Sequence, residues 1–133
     1  MGEEEMFSHV MIGANDIEAS RRFYDAVMQE LGAKSGIQNK LKGITRYMYF
    51  HNKSVFIITE PLNGEEATHG NGSTLGFNAD STEIVDAWHK AGLDNGGIAI
   101  EDPPGLRAQD RFSFYLAYLL DPAGNKICAM NVS

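Results

Sequence analysis

"HVMIGANDIEASRRFYDAVMQELGA" (residues 9–33) and "TLGFNADSTEIVDAWHKAGLDNGG" (residues 74–97) are the two stretches that decide the fold. Setting Asn15 against Asp80 gives an offset of 80 − 15 = 65, which puts Glu18 on Glu83, Phe23 on Trp88 and Gly32 on Gly97. Each stretch reads as strand, cap, helix, glycine. Asn15 and Asp80 are suitable N-caps, and a glutamate follows each at capping-box spacing. Tyr24, Val27, Met28 and Leu31 recur at helical spacing in the first stretch. Ile84, Val85, Trp88 and Ala91 do so in the second. Glycine at 32 and at 96–97 suits a left-handed helix end.

Strand-like segments follow each helix. Residues 33–39 read as a weak strand, and "ITRYMYF" (44–50), the turn "HNKS" and "SVFIIT" (54–59) read as a hairpin. In the second half, residues 96–100 read as a short strand. "FSFYLAYLL" (112–120), the turn "DPAGN" (121–125) and "KICAMNV" (126–132) follow it. Each half is therefore β-α-β-β-β. Residues 1–133 are expected to form a single domain, with module one at about 6–60, a linker at 61–71 and module two at about 72–132. Residues 101–111, "EDPPGLRAQDR", are expected to form a long loop over a site.

Bulk composition narrows the function. The 133 residues are 43% apolar and 22% charged, ordinary values for one packed domain. The net charge of −7 and the scattered Lys and Arg argue against nucleic acid, whose phosphates require clustered cations. An acidic surface mildly favours cationic ligands. No apolar run approaches the roughly 18 residues that a membrane span needs. The acidic start, Met1 to Glu5, does not resemble a secretory leader, so a cytoplasmic protein is expected. The single cysteine, Cys128, leaves no internal disulfide and no CxxC motif.

The paired modules resemble the vicinal oxygen chelate superfamily, which includes glyoxalase I, bleomycin- and fosfomycin-resistance proteins and extradiol dioxygenases. The resemblance rests on residues 7–32, on "GNGSTLGFNADSTEIVDAWHKAG" (70–92) and on "FYLAYLLDPAGNKICAM" (114–130), whose Asp-Pro-x-Gly-Asn turn is its most specific part. It implies an α+β fold of paired βαβββ modules, a curved mixed sheet around a cleft with the helices outside. It also implies a divalent metal in that cleft, held by the first strand of each module and by the last strand of one or both. Such a metal would chelate two neighbouring substrate oxygens as a Lewis acid.

Carried over position by position, the family's ligand set is largely absent. The first-strand position of module one is His9, and its counterpart 65 residues on is Thr74, a poor ligand for a catalytic divalent ion. The last-strand position, four residues after Gly124, is Cys128, and the matching stretch of module one, 55–58, is wholly apolar. Catalytic sites generally need about three protein ligands. His51, His69 and His89 fall at no matching position. Cys128 with His9 offers a soft-metal or nucleophilic pair, but no orienting third group is evident for the nucleophile, and the cysteine reads foremost as a small buried apolar group.

The expected protein is thus glyoxalase/bleomycin-resistance-like with a degenerate metal site, and it binds a small organic molecule in its cleft as a homodimer. His9, Tyr47, Tyr49, Thr74, Arg107, Arg111, Tyr115 and Cys128 are the candidate ligand-binding residues, and His9 is the candidate base. No cofactor is expected. The alternative is a glyoxalase I-type lyase or isomerase whose divalent metal sits at a displaced site using at most His9 and Glu60.

Overall fold

A computed structural model describes residues 6–109 and 112–132. The first half runs β1 (Val10–Gly13), α1 (Ile17–Glu30), β2 (Ile37–Leu41), β3 (Ile44–His51) and β4 (Ser54–Thr59). The second half repeats it as β5 (Leu75–Asn78), α2 (Thr82–Asp94), β6 (Ile98–Gln109), β7 (Phe112–Leu120) and β8 (Lys126–Val132). The offset of 65 carries β1 onto β5 residue for residue, since 10 + 65 = 75 and 13 + 65 = 78. The strands form two four-stranded mixed sheets, ordered β1-β4-β3-β2 and β5-β8-β7-β6. In each, the first strand runs parallel to the last, and the other pairings are antiparallel.

Both helices start one residue later than the sequence reading placed them. Asp16 accepts a hydrogen bond from the Ala19 amide at 3.1 Å, and Ser81 accepts one from the Ile84 amide at 3.1 Å. The caps are therefore Asp16 and Ser81, still 65 apart. Asn15 has other work: it accepts from the Ala67 amide at 2.6 Å and donates to the Ala67 carbonyl at 3.2 Å, pinning residue 67 beside the end of β1. Glu18 and Glu83 remain in the first turns, where the helix dipole favours an anion.

One face of each sheet packs on the helices. Tyr47, Tyr49, Phe56 and Ile58 from the first sheet join Ala117, Leu119, Ile127 and Ala129 from the second in a single buried core with Phe23, Tyr24, Val27, Val85 and Trp88. The halves interlock through their aromatics: Tyr24 lies 4.9 Å from Phe56, which meets Phe77 edge-on at 5.3 Å. Gly92 allows this packing, because a Cβ there would stand 2.3 Å from Leu119 Cδ1. The Asp121–Asn125 turn closes the seam. Asp121 is 3% exposed and accepts from the Ala123 and Asn125 amides, from Asn125 Nδ2 and from the Tyr24 hydroxyl.

The expected loop over residues 101–111 is instead mostly strand. β6 continues through Gln109, and only its register with β7 breaks, between Ile100 and Gly105. Pro103 and Pro104 lie inside that break, where an imide nitrogen has no proton to give the ladder.

Candidate functional site

Alternation along the strands fixes a second face on each sheet, turned away from the helices. In the first sheet, Tyr47, Tyr49, Phe56 and Ile58 point to the core. Arg46, Met48, Phe50, Ile57 and Thr59 therefore take the open face, with Met11 and Gly13 from β1. The open face of the second sheet carries Gly76, Asn78, Leu116, Tyr118, Lys126, Cys128 and Met130.

His9 stands exposed just before β1, with Nδ1 2.8 Å from the Ser8 hydroxyl. Thr74 is exposed at the equivalent place before β5. Cys128 lies on the open face at 7% exposure, and burial pushes its thiol pKa up, which disfavours the thiolate. A Cβ on Gly76 would stand 3.2 Å from Cys128 Sγ, so glycine leaves bare backbone beside the thiol.

The three tyrosines belong to the opposite face. Tyr49 is 1% exposed and donates to Asp25 Oδ1 of α1 at 2.8 Å. Tyr47 donates to Glu18 Oε2 at 2.6 Å, and the Arg21 guanidinium lies over its ring at 5.4 Å. Tyr115 donates to Asp86 of α2 at 2.7 Å. Their hydroxyls hold helices, so they stand on the face of their sheets opposite the open face that carries Cys128. The acceptor carboxylates, with burial, raise all three phenol pKa values, and for Tyr49 burial is the larger cause.

Arg107 donates to the Asp102 and Pro103 carbonyls at 3.1 Å each, bracing the break in β6. Arg111 lies outside the described residues. Glu60 accepts from the Thr45 amide at 2.8 Å through Oε1. It also lines an open depression of about 460 Å³ with Asn15, Ile44, Pro61 and the 64–66 segment, where none of the other candidates stands.

Sequence reading missed the charged groups of the open faces. Arg46 donates from Nε to Thr59 Oγ1 at 3.2 Å, and Thr59 in turn donates to the Glu60 carbonyl at 2.7 Å. The Lys126 ammonium lies 4.6 Å over the Tyr118 ring and pairs with Glu101. Lys126 is two residues before Cys128, so strand periodicity already placed both on one face.

The two parallel pairings also settle how the halves correspond across β4 and β8. Met11 stands opposite Ile57, and Gly76 opposite Cys128. Because 11 + 65 = 76, Ile57 is the first-half equivalent of Cys128. The four corresponding positions thus hold His9, Ile57, Thr74 and Cys128. Among the described residues, no group of three or more His, Cys, Asp or Glu side chains is placed to hold a metal ion. This donor set does not fit a catalytic divalent ion.

Two βαβββ halves sharing one helix core, each with an open sheet face, define the class. The model of the Glyoxalase/Bleomycin resistance protein/Dioxygenase superfamily matches residues 6–129, and the chain belongs to that superfamily. It is 54% identical to a glyoxalase/bleomycin resistance protein from Albidiferax ferrireducens T118, covering 96% of this chain and 99% of that one with a TM-score of 0.90. A glyoxalase/bleomycin resistance protein/dioxygenase family enzyme from Burkholderia phytofirmans PsJN is 25% identical, with 95% and 98% covered and a TM-score of 0.68. A fosfomycin resistance protein from Listeria monocytogenes shares the fold at 14% identity, with 98% and 94% covered and a TM-score of 0.68. No curated protein matches the chain. Among the described residues, no helix is long and apolar enough to cross a membrane.

Proposed function

We propose that this protein is a cytoplasmic homodimer that binds a small organic molecule on its open sheet faces and uses no metal ion to do so. The observation that carries the reading is the set His9, Ile57, Thr74 and Cys128 at the four corresponding positions where the superfamily resemblance implies metal ligands. An imidazole and an alkyl chain on the first sheet, and a hydroxyl and a buried thiol on the second, suit contact with an organic molecule better than metal ligation. Pairing with a second copy brings no new residue type to these positions, so the argument holds whether the cleft forms within one chain or between two.

The dimer is supported by apolar side chains left exposed on both open faces. Met11, Ile37 and Phe50 are 38%, 60% and 48% exposed on the first, and Ile98 and Val132 are 60% and 53% exposed on the second. Side chains of this kind, gathered on one surface, mark a partner or a ligand.

A thermal-shift screen over metabolites and drug-like compounds tests the reading, since any ligand of the native state raises Tm. The expected result is a shift with an organic compound that is unchanged by EDTA. Stoichiometric Zn²⁺, Ni²⁺, Mn²⁺ or Fe²⁺ that survives dialysis would overturn it.

A further inference from the structure

On the open face of the second sheet, strands β5, β7 and β8 carry no carboxylate, and Lys126 is their one cation. Its ammonium is held in place from two sides. The Tyr118 ring lies beneath it at 4.6 Å, and the Glu101 carboxylate pairs with it. A cation over an aromatic face is attracted to the ring's negative face, and the ammonium's three N–H donors remain able to serve an anion.

The carboxylate reaches that position by an unusual route. Glu101 has φ +60°, a left-handed conformation that residues with a side chain rarely adopt. It sits at the register break of β6, and Arg107 braces that excursion through the Asp102 and Pro103 carbonyls. The backbone thus departs from the ladder where its side chain meets Lys126. Beside the pair, Tyr118 stands opposite Cys128, and Gly76 leaves bare backbone next to the thiol.

We propose that Lys126 is the oxyanion anchor of the ligand site, and that Glu101 occupies the anchor until a ligand's carboxylate or phosphoryl group takes its place. The ligand is then an organic anion whose flat body lies over Gly76 and Cys128. This proposal rests on the reading of the open face as a ligand surface. It also reverses the expectation from net charge: the chain carries −7, yet this part of it selects an anion.

Calorimetric titration of the full-length chain with benzoate and with phenylphosphonate tests the proposal and separates the two oxyanions. Glu101→Gln should bind at least one probe about tenfold more tightly than the wild type, because the competing charge is gone. Glu101→Gly, which suits the backbone conformation, should show the same gain, and Lys126→Gln should abolish it. The proposal is overturned if neither Glu101 variant gains affinity for either probe, or if Lys126→Gln binds as the wild type does. A screening hit whose binding ignores both positions would remove the anchor and leave the open-face reading standing. No hit and no probe binding would remove both.

Discussion

The Tyr24 hydroxyl donates to Asp121 Oδ2 at 2.6 Å, joining the first helix to the last turn in a buried bond across 97 residues. Tyr24 is 0% and Asp121 3% exposed, so neither group has water as a substitute. Burial, then the Asp121 charge, pushes the Tyr24 phenol well above its ordinary pKa and keeps it a donor. Tyr24→Phe leaves Asp121 its three donors from the turn and should cost about 1–2 kcal/mol. Asp121→Ala orphans all four donors and should cost about 3 kcal/mol or more. Urea unfolding of the two variants checks the order.

Gly92 is the second structural test. Alanine there gains about 1 kcal/mol of helix propensity. Its Cβ would meet Leu119 Cδ1 at 2.3 Å and Phe23 Cε1 at 3.2 Å, both in the core. Overpacking of that kind costs about 1–3 kcal/mol, so Gly92→Ala should lower Tm despite the better propensity. A raised Tm would mean that the helix and sheet separate more easily than their packing implies.

His89 gives the chain a pH dependence with a definite sign. Burial lowers its pKa below 6.5, while Asp86 opposes the shift. The folded state therefore holds the imidazole neutral where the unfolded chain already binds a proton. Stability from this group is complete above pH 6.5 and is lost as pH falls towards the depressed folded value. The drop in Tm between pH 7.5 and 5.5 should be smaller in His89→Gln than in the wild type.

Cys128 should alkylate slowly. Its thiol is buried and its pKa is raised, so thiolate at neutral pH is scarce. Iodoacetamide should label the native chain far more slowly than the urea-unfolded chain at the same pH. Equal rates would indicate an exposed, activated thiol.

His9→Ala should separate binding from folding. The side chain is exposed, and among the described residues its ring meets the neighbouring Ser8 hydroxyl. Tm without ligand should move by less than about 0.5 kcal/mol equivalent, as for other surface changes. Affinity for a screening hit should fall, while metal content should not change.

The repeat made the fold legible, because each half states its own strand, cap and helix and the second statement checks the first. The exact cap was not legible. Asn15 and Asp16 both suit the position, and only the contact with Ala67 assigns Asn15 elsewhere. Period-two alternation told which tyrosines share a face but not which face meets the helices. That required Glu18, Asp25 and Asp86, acceptors on helices distant in sequence. Residues 101–111 read as a long loop, but an irregular strand through Gln109 absorbs Pro103 and Pro104, whose nitrogens cannot donate. Thr74 followed from His9 through the offset of 65, and Cys128 from its place four residues after Gly124. Glu101 was not legible, since nothing local announces a left-handed glutamate.

The seam through Tyr24, Phe56, Phe77 and Asp121 makes each half depend on the other. A half ending near residue 60 would present Tyr24, Phe56 and the flank of α1 to water, having lost the ring of Phe77 and the carboxylate of Asp121. Such a half is short of partners rather than self-sufficient, and a second half of the same kind supplies them. A covalent linker converts such an encounter from one that depends on concentration into one that is permanent. The joined halves need not match side chain for side chain: one has an imidazole at 9 where the other has a hydroxyl at 74, and one has an alkyl side chain at 57 where the other has a thiol at 128.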